Sequence, residues 1–542
     1  MLSTKSIVHR FALSACFIFY IAISGTSPAF SQGVLTYHNN NARTGLNPSE
    51  TILNPSNVNS TSFGKLFVIP ADGLVDAQPL YLSSVPVPGH GTQNLLIVVT
   101  EHDSVYAFNA TTGALVWHIT TLKKGETTSD DRGCNQVTPE IGITSTPVIN
   151  RPSGSNGVIY AVAMSKDSSG NYHQRLHALD APTGKELYGG PVEITGKFPG
   201  TGDNSSGGFV VFDPAQYKER SALLLTGGVV YLTWASHCDI RPYTGWIMGY
   251  NATTLAQTTI LNLTPNGDQG AVWGAGGGLA SDNLGNIFLL DANGTFDTAL
   301  NSKGFPSSGD YGNAFIRLTT TNGLAVADYF EMDNGVEESD EDVDLGSGAV
   351  VLLPSIRDFS NNTWNLAAGA GKDSNLYLIN RNSMGKFHAD SNNIYQEISG
   401  PLPGGMWATP AYFEFEARLY YGPVGGPILA FEFQNGKLMT NPVAQTSNSF
   451  GYPGTTPSIS SDGGANGIVW ATEDGKPAIL YAYDATTLQE LYNSNQAAND
   501  RDLFGVGNKF IAPLIVNGRV YVGTTRGVGV FGLLSPKNAE TE

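Results

Sequence analysis

Short apolar runs punctuated by Asx turns dominate the chain. The pattern appears as Val105-Tyr-Ala-Phe-Asn-Ala-Thr-Thr-Gly113, as Leu176-His-Ala-Leu-Asp-Ala-Pro-Thr-Gly184, as Ile247-Met-Gly-Tyr-Asn-Ala-Thr-Thr-Leu255 and as Leu480-Tyr-Ala-Tyr-Asp-Ala-Thr-Thr487. Weaker copies occupy residues 315–323, 376–385, 428–436 and 528–534. An Asn or Asp side chain bonds its own backbone two residues on, and Gly accepts positive φ, so each copy reads as strand, tight turn, strand. A second signal precedes each copy: a short apolar strand, often opened by Pro, at Gln78-Pro79, Thr146-Pro147, Thr409-Pro410, Thr456-Pro457 and Ala512-Pro513, and in less regular form near Ala222, Ala275 and Ala349.

Both signals count eight. Each unit reads as four strands, A to D, with the Asx turn between C and D. Repetition of such a unit predicts an all-β, eight-bladed β-propeller of four-stranded antiparallel blades. The last unit ends at its strand C near Leu534, so the segment Lys65-Leu-Phe-Val-Ile69 is expected to supply the missing strand and remove the open edge. Turn residues are 71 apart from Asn109 to Asp180 and again to Asn251, but 52 apart from Glu432 to Asp484. A blade needs roughly 40–50 residues, so the early units carry surplus loop, and topology puts the B–C and D–A loops on one face.

Composition refines this picture. Apolar residues make up 41 % and charged ones 14 %, which is globular and not disordered. Lys5 and Arg10 precede the apolar run 11–24, and Ala29-Phe30-Ser31 resembles a cleavage site, so residues 1–31 are expected to be a signal peptide and the protein secreted or periplasmic. Residues 32–61 are then an N-terminal extension packing on the propeller, 62–535 the propeller, and 536–542 a disordered tail. The mature chain keeps 27 basic and 47 acidic residues, about −20 in net charge, which disfavours nucleic acid and anionic lipid as partners. No later segment reads as a membrane span. Cys134 and Cys238 remain after processing, in loops of neighbouring blades on one face, and are expected to form a disulfide.

The blades resemble those of the quinoprotein family, the pyrroloquinoline quinone (PQQ) dehydrogenases, and a set of positions matches that family in order. Asp76-Ala-Gln-Pro79 resembles the acidic cofactor-binding position before the first inner strand. Asp239, ahead of Gly245-Trp246, resembles a carboxylate calcium ligand, and Asn293 of Ala292-Asn293-Gly294 a second ligand. Trp273 of Val272-Trp273-Gly274 resembles the indole that stacks on the quinone. Asp344 of Val343-Asp344-Leu345-Gly346 resembles the catalytic base and a further metal ligand, and Lys372 of Gly371-Lys372-Asp373 the cation at the quinone oxygens. The strand Glu140-Ile-Gly-Ile-Thr-Ser-Thr-Pro147 lacks the adjacent cysteines of the family's alcohol dehydrogenases.

The resemblance implies PQQ and Ca²⁺ as cofactors, an alcohol or sugar hydroxyl as substrate, and a separate electron acceptor, since no Cys-x-x-Cys-His haem motif is present. The residue chemistry agrees: Asp239, Asn293 and Asp344 offer the hard oxygens calcium prefers, and a carboxylate can act as general base. The alternative is a non-catalytic secreted propeller that binds carbohydrate or protein on its loop-rich face. On that reading the acidic run 337–344 is a solvated loop, Asn293-Gly294 a tight turn, and Trp273 and Trp407 channel packing.

Overall fold

The computed structural model describes residues 33–535. The expected signal peptide (1–31) and tail (536–542) lie outside the described residues. The sheets form where the sequence alternates apolar runs with Asx turns. Asn109 Oδ1 accepts the backbone N–H of Thr111 (2.9 Å) and Thr112 (2.8 Å), and Asp484 Oδ1 accepts those of Thr486 and Thr487.

Among the described residues there are eight antiparallel sheets with a core of four strands, following one another along the chain. The first contains Leu80–Val87, Gly91–Val99, Ser104–Asn109 and Leu115–Thr120. The third contains Leu224–Thr226, Val229–Thr233, Trp246–Asn251 and Gln257–Asn262. The last contains Leu514–Val516, Arg519–Thr524 and Gly527–Leu533, and its fourth strand is Phe63–Pro70, antiparallel to Gly527–Leu533. Inner strands are buried on both faces because each sheet is covered by its neighbours, as in Val158–Lys166. The outermost strand Leu115–Thr120 is partly exposed along its length.

Apolar clusters join successive sheets. Val99 and Val105 of the first pack with Ile159 and Ala161 of the second. Leu289 and Ile316 of the fourth pack with Leu224 and Ile247 of the third. Leu514 and Val530 of the last pack with Leu96 and Tyr106 of the first. Polar locks reinforce these seams at the Asx turns. Trp117 Nε1 donates to Ala181 O (2.8 Å), and its ring fills the space over Gly184, where a Cβ would lie 2.7 Å from an indole carbon. Tyrosine hydroxyls make the equivalent bond elsewhere: Tyr420 to Ala485 O (2.8 Å), Tyr521 to Ala110 O (2.9 Å) and Tyr160 to Ala252 O.

The N-terminal segment runs past every sheet in turn. Val34 pairs with Tyr81 of the first, and Leu35 O accepts Ile149 N of the second. Asn41 Nδ2 donates to Leu225 O of the third, and Asn41 O accepts Ser281 N of the fourth. Ala42 O and Thr44 O accept Leu352 N and Tyr412 N of the fifth and sixth. Leu46–Asn47 pairs in parallel with Ser458–Asp462 of the seventh, and Asn47 Nδ2 donates to Ile515 O of the eighth. Inside this arc Arg43 is fully buried and donates to Leu279 O (2.9 Å), Leu223 O (3.2 Å), Tyr37 O and Thr36 Oγ1.

Two local expectations change. The inner strand expected near Ala275 is a 3₁₀ turn, Gly274–Gly276, with Ala275 at φ 45°, and the strand begins at Ala280. Residues 274–278 are four glycines around one alanine, a run that favours turns over a ladder. The acidic run is not simply a loop: Gly335–Asp340 is an α-helix, with Glu337 and Glu338 in its first turn, where acidic side chains suit the helix dipole. Among the described residues no helix is long and apolar enough to cross a membrane.

Candidate functional site

A cavity of about 230 Å³ is lined by Asp239, Trp273, Asp344 and Lys372, four of the residues singled out in the sequence. They arrive from three sheets, Asp344 and Lys372 both from the fifth. Asp239 follows the short strand Ala235–Ser236, with its backbone at φ 55° held by a bond from its N–H to Ser236 Oγ (3.0 Å). Tyr243 Oη donates to Asp239 Oδ1 at 2.5 Å. Trp273 precedes the glycine-rich 3₁₀ turn. Asp344 ends the acidic run, in extended backbone just before the turn Leu345–Ser347. Lys372 follows the inner strand Leu366–Gly369, and its N–H donates to Asp344 O (2.9 Å).

Asp344 is the electrostatic centre. Its Oδ1 accepts the Asn293 backbone N–H at 2.8 Å, and its Oδ2 lies 2.5 Å from Lys372 Nζ. Burial pushes its pKa up to about 6, against the opposing pull of Lys372. The Lys372 ammonium also bonds Asp342 Oδ1 at 2.7 Å, and the two carboxylates hold its pKa above the usual lysine value despite partial burial.

Asn293 stands beside this group. Its Nδ2 donates to Asp342 Oδ1 at 2.9 Å, while its Oδ1 is buried with no hydrogen-bond partner among the described residues. With Asp239 and Asp342 it lines an adjoining cavity. Asp76 is set apart. It lines a small neighbouring cavity with Tyr37, Arg220 and Phe510, accepts a bond from Asn508 Nδ2, and is paired with the buried Glu101. Burial and the Asp76 charge push Glu101 well above the normal carboxyl range, so the pair holds a proton. Cys134 and Cys238 are disulfide-bonded, Cα–Cα 5.5 Å, and Cys238 lines the main cavity.

Several cavity residues escape a motif reading. Lys218 and Arg220 line the cavity from the segment leading into the third sheet, and Tyr452 and Phe510 join Trp407, already named from the sequence, as further aromatic wall. The available signal was Lys218-Glu219-Arg220, three consecutive charged residues directly before an inner strand. His237, next to Cys238, is fully buried with both ring nitrogens unpartnered, and burial lowers its pKa to about 4.

The residues can be tested against the two cofactors that the resemblance implies. Calcium takes oxygen ligands, commonly six to eight. Asp239, Asn293 and Asp344 supply only oxygens, and Asn293 Oδ1 is an orphaned buried acceptor that a hard cation would satisfy. Among the described residues no group of three His, Cys, Asp or Glu side chains is gathered for a metal, so the fit depends on that amide oxygen. For a flat, multiply anionic quinone, the cavity offers the Trp273 indole and the cations Arg220 and Lys372, in a chain whose net charge is −18.

Comparisons with known proteins bear on the fold. Residues 71–231 match the PQQ_2 family model, described as outer membrane protein assembly factor BamB. Among curated proteins no sequence matches. In structure, the chain is similar to the quinohemoprotein alcohol dehydrogenase from Comamonas testosteroni, with TM-score 0.61 and 14 % identity over 93 % of this chain and 81 % of that one. It is also similar to the quinohemoprotein alcohol dehydrogenase ADHIIG from Pseudomonas putida, with TM-score 0.59 and 13 % identity over 93 % of this chain and 80 % of that one. A europium-containing methanol dehydrogenase aligns with TM-score 0.60 and 12 % identity over 93 % of this chain and 98 % of that one. Residues 71–231 thus carry the PQQ_2 match, and the chain has a fold similar to that of the quinohemoprotein alcohol dehydrogenases and the methanol dehydrogenase.

Proposed function

We propose that the protein is a secreted or periplasmic PQQ- and calcium-dependent dehydrogenase that oxidises an alcohol or sugar hydroxyl. The observation that carries this reading is Asp344: a buried carboxyl with pKa about 6, held by Lys372 in the wall of a cavity that also presents Trp273. The proposed architecture is one ring of eight blades over residues 62–535, supported by the eight sheets, the seams between them and the pairing of Phe63–Pro70 with the last strand. Residues 32–61 form the extension, 1–31 the signal peptide and 536–542 the tail.

The chain's own contribution is proton transfer and positioning. Asp344 is mostly ionised at neutral pH yet basic enough to take a hydroxyl proton. Lys372 holds that carboxylate in place and sets positive charge at the cavity wall. Trp273 gives a flat surface, and Asp239, Asn293 and Asp344 supply the oxygens that would hold calcium. When bound, PQQ supplies the hydride acceptor and calcium a Lewis acid that polarises oxygen. Electrons then pass to a separate acceptor. Titrating the protein with PQQ and Ca²⁺ while following the quinone absorbance tests the reading. A saturable shift followed by alcohol-dependent dye reduction supports it; no shift overturns it.

A second reading, a non-catalytic propeller that binds carbohydrate or protein on the same face, draws on one observation. Both Asp344 oxygens already have protein partners, Asn293 N–H and Lys372 Nζ, so the carboxylate is satisfied without a cation. This reading expects no spectral change with PQQ.

A further inference from the structure

Lys218 is a cavity residue to which the dehydrogenase reading gives no chemical step. It lies in the strand Tyr217–Lys218, paired with Ala235–Ser236, and is fully buried. Its Nζ has no hydrogen-bond partner among the described residues. It faces the cavity and stands 5.8 Å from the centre of the Trp273 ring. Arg220, two residues on, lines the same cavity with its guanidinium 4.1 Å over the Phe510 ring.

An ammonium buried without a partner carries a large desolvation cost, and the group relieves it by losing its proton. Here burial, and next the charge of Arg220, lower the Lys218 pKa to about 7, against the opposing pull of Glu101, Asp76 and Asp131. The Lys218 charge in turn helps to lower the pKa of buried His237. The cavity therefore presents a primary amine that gives up its proton near neutral pH, beside an aromatic wall and a fixed cation. That combination suits a carbonyl compound that carries an anionic group.

We propose that Lys218 condenses reversibly with an anionic aldehyde in this cavity to form an imine. The Nζ–C bond forms as the carbonyl C–O bond breaks. The oxygen leaves as water with both amine protons, and no electrons are transferred. Arg220 holds the anionic group, and Trp273 lies against the body of the aldehyde. The proton-holding pair Asp76 and Glu101 lies close enough for its charge to reach Lys218, and serves as local acid for the loss of water. The inference does not rest on the cavity taking a quinone.

The test uses the full chain without added quinone, with pyridoxal phosphate as the probe. Borohydride reduction traps any imine, and peptide mapping by mass spectrometry locates it. The expected result is saturable labelling of Lys218 at aldehyde concentrations that leave exposed Lys123, Lys124 and Lys185 unlabelled. The Lys218 labelling rate should level off above about pH 7, where its amine is already neutral, while exposed lysines continue to gain. K218M and K218R should both lose the adduct while keeping the native circular dichroism spectrum, and R220Q should need about tenfold more aldehyde. Labelling confined to exposed lysines, or equal labelling in K218R, overturns the proposal. Benzaldehyde labelling Lys218 as readily as the phosphate-bearing probe overturns its anionic class. The quinone titration reads a different signal, so failure of one proposal is distinguishable from failure of the other.

Discussion

Lys372 Nζ lies 2.5 Å from Asp344 Oδ2 in the cavity wall, so one ion pair sets both the position and the basicity of the proposed base. Burial raises the Asp344 pKa to about 6 and Lys372 opposes the rise. Turnover should therefore increase with pH through about 6 as Asp344 ionises. Replacing Lys372 by Gln removes the opposing charge, so the acid limb should move to higher pH. Asp344→Asn should lower turnover by roughly 10²–10⁴-fold while leaving PQQ binding in place. Dye-reduction rates across pH, set beside quinone absorbance titrations, measure both effects. An acid limb unmoved in K372Q counts against the assignment.

Trp273→Ala should act on binding rather than on the proton step. Loss of the indole face should weaken quinone affinity about tenfold or more, while any residual turnover keeps the wild-type pH dependence. An unchanged quinone titration would remove Trp273 from the site.

The disulfide between Cys134 and Cys238 ties two loops at the cavity. Thiol titration of the denatured, unreduced mature protein should find no free thiol. Reduction should cost on the order of 2–4 kcal/mol of stability, read as a lower denaturant midpoint. Its effect should reach the cavity as well, since Cys238 is part of the lining.

Arg43 should be among the costliest single positions in the N-terminal segment. Its guanidinium is fully buried and donates to three backbone carbonyls and the Thr36 hydroxyl. Arg43→Met leaves those acceptors unpaired, at about 1–3 kcal/mol for each one left unsatisfied. Thermal melts should show a drop of several degrees, while Arg132→Met, a loop residue, should change little.

The buried carboxyl groups should lower stability between mildly acidic and mildly alkaline pH, against the opposite contributions of His237 and Lys218. Glu101, Asp103, Asp291 and Asp344 all have pKa values raised by burial. A raised folded-state pKa gives stability that is complete below the unfolded value near 4 and is lost as pH rises through the folded one. For Asp344 that loss centres on about pH 6. Glu126, lowered to about 2 by Arg175, has the opposite sign: its contribution is present above the unfolded value and is lost only as pH falls towards 2. Chemical denaturation of the wild type and Asp344→Asn at pH 5 and pH 8 isolates this contribution: the variant should lose less stability, or gain more, between the two pH values, and an identical difference in both would contradict it.

The sequence by itself determined the strand content, the eightfold repetition and the positions of the turns. These are local properties: an Asx turn such as Asn109-Ala-Thr-Thr-Gly113 closes on bonds within its own few residues. It also marked Lys65–Ile69 as a strand in search of a partner, because the last unit was one strand short, and the strand found there, Phe63–Pro70, pairs with Gly527–Leu533. Resemblance supplied Asp239, Trp273, Asp344 and Lys372, and all four line one cavity. Only the tertiary structure decided what has no local signature. Asp76 could not be separated from the main cavity in sequence, because its partners Glu101 and Asn508 are remote along the chain. The bond from Tyr521 to Ala110 O depends on two distant stretches of the chain meeting. Lys218 owes its character to desolvation, and desolvation is a property of everything packed around a group rather than of its neighbours in sequence.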